Sequence, residues 1–85
     1  MKKHDRYFKV LNQIMSGQEV SSDWYIETFN VARRTANRDL LEFSKSIYNE
    51  FKIKLDMEVQ DGMRTYKANN MRYVLKGIGD NKNDI

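Results

Sequence analysis

The sequence predicts a mainly α-helical fold closed by a small β-hairpin, an α+β class of three helices followed by two antiparallel strands. Three observations carry this. Up to about residue 48 the apolar residues recur at helical spacing; from Phe51 to Val59 they recur at every second position; and Asp61-Gly62 separates that alternating run from a second short one. Asp-Gly is a favoured pair for a two-residue hairpin turn, because both positions require positive φ.

A chain of 85 residues has room for one domain with a core of modest size. The composition, 40% hydrophobic and 32% charged with a mean hydropathy of -0.80, is that of a globular chain rather than a membrane or disordered one. No apolar run approaches the roughly 18 residues that a spanning helix needs. The basic start Met1-Lys2-Lys3-His4-Asp5-Arg6 leads into an amphipathic pattern and does not read as a signal peptide, so a cytoplasmic location is expected. Cysteine is absent, which excludes disulfides, a thiolate nucleophile and cysteine-rich zinc sites.

The first helix is expected over residues 4 to 16, with Phe8, Leu11, Ile14 and Met15 on one stripe and Tyr7 at its edge. Gly17 follows as a stop signal. Val20 then stands as a hydrophobic staple before Ser21-Ser22-Asp23, where a serine can accept from the free amides of a new helix and an acid suits its first turn. That second helix runs from Ser22 to Phe29, with Tyr25, Ile26 and Phe29 inward. Asn30 ends it, a residue able to adopt the left-handed conformation of a tight turn. Val31 plugs the turn, and a third helix lasts to about Ile47 or Tyr48.

Phe51, Ile53, Leu55, Met57 and Val59 then alternate with Lys52, Lys54, Asp56 and Glu58, the period of a half-buried strand. Turning on Asp61-Gly62 sets Gln60 opposite Met63, Met57 opposite Tyr66, Asp56 opposite Lys67 and Leu55 opposite Ala68. Apolar meets apolar and acid meets base, which supports the register. The domain is expected to occupy residues 1–77, with Met71 to Gly77 as a further strand or a short helix packing on the body or on a second subunit. Residues 78–85 read as a frayed end or the start of a linker.

The charge pattern points to a partner. The net charge of +3 is a mild bias, but Arg33, Arg34 and Arg38 fall together at the start of the third helix without an intervening acid. Ala36, Leu40, Phe43 and Ile47 mark the dry face of the same helix. An exposed half offering Arg33, Arg34, Thr35, Asn37 and Arg38 has the donors that meet phosphates and base edges in a DNA major groove. Catalytic chemistry finds no footing: His4 is the only histidine, the carboxylates are scattered, and no glycine-rich phosphate loop appears. No enzyme, metal site or cofactor is expected.

The order of helix, helix, tight turn, helix and hairpin is that of a winged helix-turn-helix. Within it, Tyr25-Ile26-Glu27-Thr28-Phe29-Asn30-Val31-Ala32-Arg33-Arg34-Thr35-Ala36-Asn37-Arg38-Asp39-Leu40 resembles the helix-turn-helix of DeoR-type bacterial repressors, closest to the form at the N-terminus of WYL-domain regulators. Phe29, Val31, Arg34, Thr35, Arg38, Asp39 and Leu40 match that pattern, and Gly62 and Tyr66 approximate its wing, one residue out of the usual spacing. Asn30 replaces its glycine, Ala32 its capping serine. Ile26 and Ala36 exchange the small and large residues of helices two and three, a swap expected to preserve core volume.

The resemblance implies sequence-specific binding of double-stranded DNA by a transcriptional regulator, as a repressor, commonly a dimer. The recognition helix, about 32–47, would lie in the major groove and the wing, about 51–68, on the flanking backbone. In that reading Arg33, Arg34 and Asn37 face bases. Thr35 meets a thymine methyl or a phosphate, and Arg38 clamps a phosphate or pairs with Asp39. Ser21 and Ser22 take a further phosphate, and Arg64 and Lys67 of the wing reach the backbone or minor groove. A homodimer through residues 71–77 or through a C-terminal domain beyond this chain is also expected. Those regulators continue into an effector-sensing domain, so the chain reads as a small stand-alone regulator, a fragment of a longer one, or a winged-helix adaptor that binds protein instead of DNA.

Overall fold

The computed structural model of the protein describes residues 1–68, and the expectations for residues 71–77 and 78–85 lie outside them. The described elements are α1 (Lys3–Met15), β1 (Val20–Ser21), α2 (Ser22–Phe29), α3 (Arg33–Phe51), β2 (Leu55–Gln60) and β3 (Met63–Ala68). Three helices followed by an antiparallel hairpin give the winged-helix layout that the periodicities predict.

Each boundary has a local cause. Gly17, at φ 87°, closes α1 with hydrogen bonds from its own amide to Ile14 O at 3.0 Å and from Gln18 N to Gln13 O at 3.1 Å. This doubly bonded left-handed cap satisfies carbonyls that a helix end otherwise leaves open. Ser21 caps α2, its Oγ accepting from Trp24 N at 3.0 Å. Asn30 adopts φ 55° and ψ 54° and donates its amide to Ile26 O at 2.8 Å, the left-handed turn expected of it. α3 continues to Phe51, a turn beyond the expected end, because its stop is Lys52 at φ 58° rather than a glycine.

Phe51 therefore belongs to the helix, and the strand begins only at Leu55; Ile53 is buried in the link between them. Asp61 and Gly62 both have positive φ, 54° and 80°. All six pairs of β2 with β3 follow the expected register, from Leu55 opposite Ala68 to Gln60 opposite Met63. The sheet also holds a third strand. Val20 and Ser21, read from the sequence as a staple and a cap, pair with Tyr66 and Thr65, giving the order β1-β3-β2. Two residues are too few to show a period, so this strand is visible only through its partner.

The core gathers Val10 and Ile14 of α1, Val20, Tyr25 of α2, Ala36, Leu40, Phe43 and Ile47 of α3, then Ile53 and Tyr66. Two expectations fail here. Phe8 and Met15, assigned to the inner stripe of α1, are exposed, while Val10 takes the buried place. The inner line of α1 is Lys3, Arg6, Val10 and Ile14, and its first two members are cations that reach acids on α3. A hydrophobic pattern cannot register them. On β2, Met57 and Val59 are exposed although the alternation placed them inward. α2 and β1 pack on β3, which leaves β2 as the outer strand.

Candidate nucleic-acid interface

The interface is built from the turn upward. Val31 packs against the core and anchors the chain as it leaves the left-handed Asn30. Ala32 then holds an extended conformation at the N-cap of α3 without a side-chain hydrogen bond, and the first turn contains no acid. The free amides and the positive end of the helix dipole therefore meet solvent together with Arg33, Arg34 and Arg38, all exposed. Ala36, Leu40 and Phe43 face inward and fix the rotation of the helix.

The three arginines are not equivalent. Arg33 turns back to α2, its Nη2 2.8 Å from Asp23 Oδ1 and its Nη1 3.3 Å from Ser22 Oγ. Arg38 places Nε 3.7 Å from Asp39 Oδ1 while remaining 64% exposed. For Arg34 no ion pair occurs among the described residues. Thr35 and Asn37 are half-buried, and the Asn37 side-chain oxygen is enclosed without a hydrogen-bond partner among the described residues.

Two expected contacts change. Ser22 is fully buried, and its Oγ accepts from the Arg64 backbone amide at 3.1 Å as well as from Arg33. Its hydroxyl is committed inside the domain and is withdrawn from phosphate binding. The Ser21 hydroxyl is half-buried and serves as the cap of α2. On the wing, Arg64 is half-buried and Lys67 exposed, with Lys67 opposite Asp56. The hairpin also carries Asp56, Glu58 and Asp61, so its acids outnumber its two bases and it forms no cationic arm.

Behind the exposed arginines lies a network that periodicity did not reveal. Asp39 is fully buried. Tyr25 donates its hydroxyl to Asp39 Oδ2 at 2.7 Å, and Arg6 donates Nη2 to the same oxygen at 3.2 Å and Nε to the Tyr25 hydroxyl at 2.9 Å. Lys3 Nζ stands 3.8 Å from the other carboxylate oxygen. Burial and the bond to Asp39 push the Tyr25 phenol well above its ordinary pKa; the bond to Tyr25, followed by Asp39, raises that of Arg6. One signal for this network was present: Asp39 is three residues after Ala36 and four before Phe43, on the dry face, where an acid requires partners.

Among the described residues no group of histidine, cysteine or acidic side chains is placed to hold a metal ion, and no helix is long and apolar enough to cross a membrane. Comparison with protein-family models, curated proteins and solved structures finds no match to this chain.

Proposed function

We propose that the protein binds double-stranded DNA in a sequence-specific manner as a cytoplasmic transcriptional regulator, a repressor of the DeoR type, with the N-terminal half of α3 in the major groove. The observation that carries this reading is the start of α3. An uncapped, acid-free helix terminus projects Arg34 and Arg38 outward, while a left-handed turn and a buried face hold it rigid against α2. A phosphate or a base edge finds there both the helix dipole and unshared guanidinium donors.

Within this reading Arg34 is the principal base-reading residue, able to fork onto the two acceptors of guanine. Arg38, steadied by Asp39, takes a phosphate, and Thr35 and Asn37 supply neighbouring contacts. Arg33 holds α2 and α3 together. The wing contributes through Lys67 and Arg64, opposed by its own acids.

Selection of bound sequences from a random duplex pool, followed by titration of the enriched duplex at several salt concentrations, tests the proposal. Enrichment of a defined sequence, a steep fall in affinity with salt, and loss of binding in Arg34→Ala are the expected results. Absence of enrichment at low salt would remove the DNA reading and leave the protein-binding adaptor, whose contacts would show little salt dependence.

A further inference from the structure

Asn37 stands at a border on α3. Ala36 and Leu40, on one side of it, are buried, and Arg34 and Arg38, on the other, are exposed. Steps of three and four place Asn37 and Arg38 on the face of Arg34. The border divides the side chain itself: the residue is half-buried, and its Oδ1 is enclosed without a hydrogen-bond partner among the described residues. A ligand on this face therefore meets the Nδ2 end of the amide, which carries two donors and no acceptor.

The fold gives no reason for an asparagine here. Within a helix it ranks below alanine, because its side chain competes for backbone groups, and an enclosed acceptor left without a donor adds a further cost. A side chain that costs stability, set beside two outward guanidinium groups, belongs to a contact outside the chain.

We propose that Asn37 is a specificity-determining residue that reads guanine through Nδ2 alone. This role rests on the DNA reading above. An asparagine that reads adenine needs both ends of its amide, Oδ1 to accept from N6 and Nδ2 to donate to N7. Here the accepting end is shut in, and adenine would turn its N6 donor toward a group that cannot take it. Guanine instead presents two acceptors, N7 and O6, to the two hydrogens of Nδ2. Cytosine presents a donor and is rejected. Three residues of helix, about 4.5 Å of rise, separate Asn37 from Arg34, so the two side chains reach bases within about two pairs of one another.

Selection from a random duplex pool with the full 85-residue chain, with Asn37→Ala and with Arg34→Ala tests this role. Asn37→Ala is expected to relax one guanine column of the enriched sequence, and Arg34→Ala a different column within about two pairs of it. Titration of duplexes altered at the first column should show the parent preferring guanine to adenine by about fivefold or more, and Asn37→Ala by less than about twofold. Without DNA, Asn37→Ala should melt no lower than the parent, because the fold makes no use of the enclosed oxygen. Relaxation at any base other than guanine, or at no column, overturns the role of Asn37 while the response to Arg34→Ala keeps the DNA reading. A melting point several degrees below the parent also overturns it, since the amide would then serve the fold. Failure of the parent to enrich any sequence removes the DNA reading and this role together.

Discussion

Tyr25 and Asp39 are joined by a hydrogen bond of 2.7 Å between two side chains that water does not reach, and Arg6 closes the triangle from α1. Each of the three helices contributes one member, so the polar network lies across the joints of the bundle. Asp39→Ala removes the acceptor shared by Arg6 and the Tyr25 hydroxyl and leaves the largely enclosed guanidinium without its buried counter-charge. A loss of about 3 to 5 kcal/mol is expected, measurable by urea denaturation. Tyr25→Phe removes two bonds, the one donated to Asp39 and the one accepted from Arg6, and is expected to cost about 1 to 3 kcal/mol.

The phenols fix how stability responds to alkali. Burial, then the bond to Glu50, pushes Tyr7 up to about 12 from an ordinary 10. Tyr25 is raised in the same direction. A phenol kept protonated in the fold contributes stability that is fully present below pH 10, where the unfolded chain is also protonated. That contribution is lost as pH rises from 10 toward the folded value. Melting temperature should therefore decline across pH 10 to 12, and Tyr7→Phe should flatten part of the decline.

Arg33 and Arg34 are adjacent in sequence and opposite in consequence. Because Arg33 is tied to Asp23 and Ser22, Arg33→Ala is expected to cost about 0.2 to 1 kcal/mol of stability, the range of an exposed pair. Arg34→Ala should leave stability within about 0.5 kcal/mol while reducing affinity for the enriched duplex by about 1 to 3 kcal/mol. Equal effects of the two substitutions on binding would contradict this division of roles.

The turn offers a fourth measurement. Asn30 holds a left-handed conformation that an ordinary side chain disfavours by about 1 to 2 kcal/mol, so Asn30→Ala should destabilise and Asn30→Gly should not. Thermal melts of the three proteins decide it.

On the wing, Asp61→Asn keeps a favoured hairpin pair, Asn-Gly, and removes one of the three acids. DNA affinity is expected to rise by about twofold at low salt and to converge with the parent at high salt. Circular dichroism confirms the hairpin, and fluorescence anisotropy reads the affinity.

Much of the fold is legible in the sequence because its signals are local. Gly17, Ser21, Asn30 and Asp61-Gly62 act on their own backbone, and each ends or begins an element where its chemistry says it must. The hairpin register follows because the turn fixes it and the facing residues agree. Two features depend on distant partners and escape that reading. β1 exists because Tyr66 and Thr65 come to it. The inner line of α1 includes Lys3 and Arg6 because Glu42, Tyr25 and Asp39 await them. Of the interface, the position of the cationic helix start is visible in sequence. The division of labour between Arg33 and Arg34, and the withdrawal of Ser22, depend on where α2 and β3 come to rest.

The hydroxyl of Ser22 has one further consequence. The first turn of α2, the guanidinium that opens α3 and the backbone of the wing strand all converge on this single oxygen. A hinge between α3 and the wing would have to break both bonds to this buried hydroxyl. Under the proposed DNA reading, helix and wing then present a single fixed spacing, and an operator that departs from it has to bend the duplex to meet it.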